Sequence, residues 1–418
     1  MAVLEGFVLL TIAMGLALAA RQFLLAACVA VSRDQPPGSP PGDAIEASDA
    51  DWPSVTVLIP AHNEEWVMPG CLAAMAALDY PTDKISILVV NDRSCDRTGE
   101  IADAIAATDP RVMVLHRHAG SEPGKSAAVA EGMALSRSDI LVLFDADYLP
   151  TPDLLKALVA PFSDPTVGAS MGRVVPQNAD ANLLTRLLDL ERRAGYAVDQ
   201  HGRALWSLVP QFGGTVGGIR RTALDAVGGW RKGHLAEDTD LTFRLVLGGW
   251  RIAYFNDACC HEEVPEDWRT RFRQVRRWAY GHNDCLLSYW RDVLFGKLSF
   301  RRKVDAALVL LFYLFPACAL LSTFAVVPIL AFGNAHGLLG DPAWLGGLLA
   351  LAVLGPYAQV MVAAVRDGQP HVIRSLPLLA ASSAVSLLAA SAGLVLLLGN
   401  RLRGQSLGWD KTVRYRSA

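Results

Sequence analysis

The segment Ile-Leu-Val-Leu-Phe-Asp145-Ala-Asp147 ends an apolar, β-branched-rich run in two carboxylates one residue apart. A buried strand of a parallel sheet delivers acidic side chains to its carboxyl edge in this way, and open α/β sheets bind ligands at that edge. Two hard oxygen donors suit a divalent cation such as Mg²⁺, which prefers one or two carboxylates plus substrate phosphates. Asp145 and Asp147 are therefore candidate metal ligands of a nucleotide site; for an isolated Asp-x-Asp the alternative is a strand-end cap and a turn residue. Asp92, in Val-Val-Asn-Asp92-Arg-Ser-Cys-Asp96, also follows an apolar run. Its carboxylate could accept hydrogen bonds from a nucleobase or open an Asx turn. Lys125 of Gly124-Lys125-Ser126 precedes an Ala-rich segment, where an ammonium meets a phosphate near a helix start or is merely solvated. The segment is not a P-loop, because Ala119 stands where the first glycine belongs.

Further along, 211–221 is dense in glycine, which signals unusual backbone angles, close ligand approach or tight packing. Glu237 and Asp238 form an acidic pair opening a helix, as caps or as a general base. Gln274, Arg277 and Trp278 fall on one helical face by the i, i+3, i+4 rule. A guanidinium there could hold a diphosphate bidentately and the indole could stack on a sugar; the same triplet also suits an interfacial basic helix.

Positioning these residues requires alternating strands and helices. Apolar runs at 55–59, 85–90, 112–115 and 140–144 read as buried strands, with helices at 64–77 and 98–107 between them. That alternation predicts an α/β fold with a doubly wound, mainly parallel sheet. The strand ends at 60–64, 91–92 and 145–147 then converge on one edge. A net charge of −3 gives nothing that points to a nucleic-acid partner, and none is expected. Seven cysteines without Cys-x-x-Cys spacing and nine histidines without His-Glu-x-x-His leave neither a zinc site nor a disulfide framework, and point to a reducing compartment.

The apolar excess lies at the two ends. Runs at 6–31, 306–332, 344–365 and 376–398 are long enough to cross a bilayer, so four spans are expected, with Arg21 snorkelling to an interface. Arg21 and Arg33, which come late in and just after the first run, and Arg301-Arg302-Lys303 before the second, place the intervening domain on the cytoplasmic side. The expected organisation is a transmembrane helix at 1–31, a flexible linker at 32–53, a catalytic domain at 54–300, a membrane domain with about three helices at 301–400 and a basic tail at 401–418. Four crossings put that tail outside, against its Arg401, Arg403, Lys411, Arg414 and Arg416, unless one run is a hairpin.

In order, Pro60-Ala-His62-Asn63-Glu64, Asn91-Asp92-Arg-Ser-Cys-Asp96, Gly124-Lys125, Asp145-Ala-Asp147, Gly214-Thr215, Glu237-Asp238 and Gln274-x-x-Arg277-Trp278 resemble the motif series of family-2 glycosyltransferases with the GT-A nucleotide-diphospho-sugar transferase fold. The resemblance covers about 55–280 and extends to the tail motif Trp409-Asp-Lys411-Thr412-Val-Arg414. It looks towards the membrane polysaccharide synthases of cellulose, hyaluronan, chitin oligosaccharides and poly-N-acetylglucosamine. It implies that Pro60, His62, Glu64, Asp92, Lys125, Asp145 and Arg277 bind the nucleotide sugar, Asp92 at the uracil or ribose and Arg277 at the diphosphate. Asp145 and Asp147 would hold Mg²⁺ or Mn²⁺, with Asp147 the direct ligand. Asp238, beside Glu237, would be the base, and Gly214, Thr215, Gln274 and Trp278 would meet the acceptor.

The implied activity is inverting transfer from a UDP-hexose or UDP-N-acetylhexosamine to a growing glycan, forming a β-linkage at the inner membrane of the cell by a multi-pass protein. The alternative acceptor is a lipid, because lipid-glucosylating relatives share the Gln-x-x-Arg-Trp pattern. Implied partners are the donor, the acceptor and membrane lipid, with any accessory subunit left open. Val275, where many synthases have a second arginine, and Ala236, where Thr often precedes the Glu-Asp pair, depart from the pattern.

Overall fold

The computed structural model describes residues 2–32, 52–332 and 342–405. Most of the linker at 32–53 and the tail motif from Trp409 to Arg414 lie outside them. The chain forms two compact units, one α/β (Asp34–Asp189 and Ala204–Glu266) and one helical (Met1–Arg33, Leu190–Arg203 and Asp267–Ser406).

The α/β unit is built on eight strands: β1 Val55–Ala61, β2 Ile85–Asn91, β3 Val112–His116, β4 Ile140–Leu143, β5 Leu149–Pro150, β6 Val167–Pro176, β7 Gly217–Arg220 and β8 Arg251–Glu262. They form one sheet in the order β3-β2-β1-β4-β7-β6-β8-β5. β1, β2, β3 and β4 run parallel, with Val57 beside Ile87 and Val142, and all three side chains are fully buried. This agrees with the continuous apolar runs that strands covered on both faces require. β7 then runs antiparallel to β4 and β6, and β8 returns parallel to β6.

The half containing β6, β7 and β8 was not predicted by the apolar runs. β6 and β7 are punctuated by glycines whose role is packing. A Cβ on Gly217 would stand 2.6 Å from both Phe212 Cε2 and the Ser170 carbonyl oxygen. β7 therefore exists because it has no side chain at its tightest contact.

Counting the N-terminal helix α1 (Ala2–Val31) first, the unit's helices are α2 Met68–Ala76, α3 Thr98–Ala106, α4 Lys125–Leu135, α5 Leu154–Val159, α6 Leu183–Arg193, α7 His201–Leu205, α8 Arg221–Ala226 and α9 Glu237–Leu247. α6 runs on into the helical unit, and α7 begins in it. α2 starts at Met68 and not at 64, because residues 63–65 spend their amides on side chains after β2. The N–H groups of Asn63, Glu64 and Glu65 donate to Ser94, Thr98 and Asp96 side chains, and Asn63 adopts a positive φ of 54°.

The helical unit contains α1, a π-helix at Ala194–Gln200, α10 Trp268–Phe295, α11 Phe300–Leu311, α12 Phe315–Phe332, α13 Pro342–Arg366 and α14 Leu379–Arg403. α10 and α14 pack through Val275, Ala279, Ala389 and Ala390. Arg21 does not snorkel: it is bound inside the unit, its Nη1 2.6 Å from Asp199 and its Nε 2.7 Å from Asp305, and Arg203 also bonds Asp199. Burial of a guanidinium on an apolar helix requires such partners.

The expected spans at 6–31 and 376–398 each fall within one long apolar helix, and that at 306–332 falls on the bent pair α11 and α12. Among the described residues, two helices are long and apolar enough to cross a membrane, Ala2–Val31 and Pro370–Arg403. A third is reached if α11 and α12, bent by 64° at their junction, count as one. The break falls just before Pro316, which cannot continue the hydrogen-bond ladder of the preceding turn.

Candidate active site

The parallel half of the sheet brings its carboxyl ends to one edge, where the 60–64 loop, Asp92, Asp145 and Asp147 follow their strands. Asp92 follows β2 and is 4% exposed. Its Oδ1 accepts from Arg117 Nη1 at 2.6 Å and Arg93 Nε at 2.8 Å, and its Oδ2 from the Gly124 amide at 3.0 Å and Arg93 Nη2 at 3.3 Å. Burial pushes this carboxyl up, but the hydrogen bonds from Arg93 and Gly124 and the Arg117 charge outweigh it and hold Asp92 below the usual carboxylate range. Four hydrogen bonds use the acceptor capacity of an ionised carboxylate. A nucleobase can reach it only by displacing Arg93, the more exposed of its two arginines.

Arg117 was not foreseen, although it lies just past the end of β3, on the same edge as Asp92. Its guanidinium is fully buried and bonds Glu131 on α4 and the Glu122 carbonyl as well as Asp92. One side chain thus ties the end of β2 to the 119–124 loop and to α4. His62, after β1, donates from Nδ1 to the Asp92 carbonyl at 2.6 Å, fixing the 60–64 loop against the same turn.

Lys125 is the first residue of α4, preceded by Gly124 at φ 110°. Its Nζ donates to Asp145 Oδ1 at 2.6 Å and to the Gly214 carbonyl at 3.2 Å. Burial lowers the ammonium's pKa, but Asp145, Glu237 and Asp238 outweigh it and keep it above the ordinary lysine value. Three carboxylates from two elements therefore share one electrostatic neighbourhood with Lys125. Asp145 follows Phe144 at the end of β4, and its amide donates to Thr215 Oγ1 at 3.2 Å. Asp147 is 2% exposed, whereas the Asp145 side chain is 25% exposed, so Asp145 is the more open of the pair. The Cys71 thiol on α2 is pushed up by burial and by Asp147, Asp145 and Glu64, which places Glu64 in the same field.

The catalytic candidates sit at the start of α9, where the 211–221 loop closes on them. Asp238 Oδ1 accepts from the Thr239 amide at 2.6 Å. Gly214 has φ +71°, and a Cβ there would stand 3.1 Å from Asp238 Cβ. The loop's glycines thus divide: Gly214 permits backbone strain beside a carboxylate, whereas Gly217 permits packing. Gln211 Nε2 to Thr239 Oγ1 at 2.7 Å and the Phe212 amide to Thr242 Oγ1 at 3.0 Å hold the loop on α9.

Gln274, Arg277 and Trp278 lie on α10 in the helical unit, as their spacing predicts. Within that unit Gln274 and Trp278 belong to a polar cluster. Arg271 Nη1 donates to Gln274 Oε1 at 3.0 Å, and its Nη2 to Glu191, which also accepts from Ser382 of α14. Two guanidinium groups approach the Trp278 ring, Arg271 at 5.4 Å and Arg192 at 5.5 Å from its centroid. Arg271 and Glu191 escaped the sequence reading because their pairing spans 80 residues.

Asp145 and Asp147 fit a hard cation by donor chemistry, and Lys125 shows that positive charge is favoured at Asp145. Among the described residues no group of three His, Cys, Asp or Glu could hold an ion by itself. A divalent cation here would have to draw further oxygens from water or a substrate.

Fold and site together define a GT-A nucleotide-sugar transferase fold. Residues 53–281 match the family described as glycosyltransferase like family 2, and the chain belongs to that family. It is 39% identical over 239 residues to the probable glycosyltransferase YdaM of Bacillus subtilis, covering 57% of each chain. It is 34% identical over 285 residues to the β-monoglucosyldiacylglycerol synthase of Synechocystis, covering 68% of this chain and 59% of that one. The chain thus spans under three fifths of the length of these curated relatives. Among solved structures, the mannosyltransferase PcManGT of Pyrobaculum calidifontis, in complex with GDP-Man and Mn²⁺, superposes with a TM-score of 0.59 at 23% identity, covering 87% of this chain and 98% of that one. These relatives bear out the family, but not the polysaccharide-synthase branch towards which the motifs looked.

Proposed function

We propose that the protein is an inverting glycosyltransferase that moves a hexose from a nucleotide sugar to the hydroxyl of a membrane lipid, with its α/β unit on the cytoplasmic side. The observation that carries the transfer reading is the single neighbourhood of Lys125, Asp145, Glu237 and Asp238. It supplies positive charge for a diphosphate beside carboxylates able to take a proton. The lipid acceptor rests on the name of the Synechocystis relative and on the apolar helices at both ends of the chain. A growing glycan is the second reading, favoured by the motif series.

In this mechanism Asp92, held ionised by Arg93, Arg117 and the Gly124 amide, organises the nucleoside end. Lys125, leaving Asp145, meets the diphosphate at the start of α4, where helix amides also favour anions. Asp145 and Asp147 would hold Mg²⁺ or Mn²⁺, which when bound neutralises charge on the departing diphosphate. Asp238 takes the proton of the acceptor hydroxyl as its oxygen attacks the anomeric carbon opposite the leaving group, so an α-linked donor gives a β-linked product. General-base help of this kind contributes about 10²- to 10⁴-fold. The loop that carries Gly214, bonded to α9 through Gln211 and Phe212, packs beside the base. The roles of Gln274, Arg277 and Trp278 at the diphosphate and acceptor rest on the sequence resemblance.

The test is incubation of membranes containing the full chain with a panel of labelled nucleotide sugars and Mg²⁺ or Mn²⁺. Label extracted into organic solvent as a single-sugar lipid is expected. A sized aqueous polymer would move the reading to the glycan acceptor, and turnover of no donor would overturn it.

A further inference from the structure

Residues 287–304 carry an apolar surface that the proposed transfer chemistry does not use. At the C-terminal end of α10, Cys285, Tyr289 and Val293 point inward, while Leu287, Trp290 and Leu294, spaced i, i+3, i+7, are 40% to 47% exposed. α11 repeats the arrangement. Asp305, Ala306, Val309 and Leu310 face the unit's interior, and Phe300, Val304, Leu308 and Leu311 form the opposite stripe. Phe295 and Phe300, at the turn between the helices, are each 80% exposed. Lys303 Nζ donates to the Leu294 carbonyl at 2.9 Å, closing the two helices into a hairpin.

Charge identifies what covers this surface. The whole chain has 38 basic against 41 acidic residues, yet 287–304 holds Arg291, Lys297, Arg301, Arg302 and Lys303 against Asp292 alone. Arg291 stacks on Trp290 at 5.1 Å, an amphipathic pair suited to a headgroup layer. Beyond Asp305 no charged residue occurs through α12, whose Leu321, Phe324 and Val327 remain strongly exposed. The chain therefore passes from an apolar surface rimmed by cations to one with no charge, the order met on entering a bilayer from an anionic face.

We propose that the α10–α11 hairpin is an interfacial element that docks on anionic phospholipid, with its apolar stripes among the acyl chains and Arg291, Lys297 and Arg301 at the lipid phosphates. The inference is independent of the sugar chemistry, so failure of either leaves the other standing. A second copy of the chain could also cover apolar stripes, but five cations against one acid would repel their own image across such an interface.

The test uses the full chain reconstituted in phosphatidylcholine vesicles doped with either brominated phosphatidylglycerol or brominated phosphatidylcholine at equal content. The quenching of Trp290 is the difference between the native protein and Trp290→Phe. The anionic quencher is expected to exceed the neutral one several-fold, because each cation near such a surface enriches anionic lipid by about fivefold. The excess should disappear in Arg291→Glu/Lys297→Glu/Arg301→Glu and, without any substitution, in high salt. Equal quenching by both lipids overturns the anionic preference. Quenching by neither, with dimers seen by single-particle mass measurement, overturns the membrane assignment in favour of a second copy.

Discussion

Asp238 and Asp92 are both carboxylates at one edge of the sheet, yet their surroundings give them opposite work. Asp238 has one oxygen occupied by the Thr239 amide and lies beside Gly214, whereas Asp92 has both oxygens filled by arginines and an amide. Asp238→Asn should therefore lower kcat by about 10²- to 10⁴-fold while nucleotide affinity, read by calorimetry, stays unchanged. Loss of affinity with intact turnover would remove Asp238 from the base position. Asp92 should instead control stability. Its folded pKa lies below the unfolded value, so its contribution is present above the unfolded pKa and is lost as pH falls through the folded one. Arg117→Met strips the buried partner from Asp92 and should destabilise the protein by about 3 kcal/mol. It should also start the acid-side fall in melting temperature at higher pH, because burial is then opposed only by Arg93 and the Gly124 amide. At this scale the sequence exposed the acids, since they end apolar strands, but not their partners. Arg117 meets Asp92 across 25 residues, and no local period records that pairing.

The parallel strands and the starts of α4 and α9 were legible because burial on both faces writes itself as unbroken apolar runs, and because helix starts follow their first polar residues. β7 was not, since Gly217 and Gly218 look like a loop until Phe212, Ser170 and Phe162 are seen pressed against them. This division makes a paired prediction. Gly218→Ala places a methyl 2.8 Å from Phe162 Cε2 and should cost about 1 to 3 kcal/mol of stability by overpacking, leaving kcat unchanged where the protein folds. Gly214→Ala forces a side chain into φ +71° against Asp238, and should lose about 1 to 2 kcal/mol of stability together with a fall in kcat. A fall in kcat for both would mean that the loop acts as one unit. On α10 the pattern Gln274-x-x-Arg277-Trp278 was readable, but its support was not. Arg271→Lys keeps the charge while losing the fork that joins Gln274 to Glu191. It should raise the acceptor KM and spare the donor KM; an unchanged acceptor KM would leave Arg271 a purely structural residue.

For the whole molecule, apolar runs at both ends were evident from composition, but how many cross was not, because crossing depends on bends and ion pairs that hydropathy ignores. Arg21 is the clearest instance. A lone arginine in an apolar run reads as a snorkelling end, whereas Asp199 and Asp305, which are 178 and 284 residues away in sequence, draw it inside. Together with Arg203 the four side chains sum to zero charge, so removing one leaves a buried charge without compensation. Arg21→Leu should accordingly destabilise the helical unit by about 3 to 5 kcal/mol, seen as a lower melting temperature of the detergent-solubilised protein. Arg21→Leu/Asp305→Leu restores neutrality with apolar groups, and should recover most of that loss. Full recovery would mean that the pair supplies specificity of helix placement more than stability. If the double variant is no more stable than Arg21→Leu alone, the network is not coupled as its geometry implies, and Arg21 contributes through packing of its stem instead.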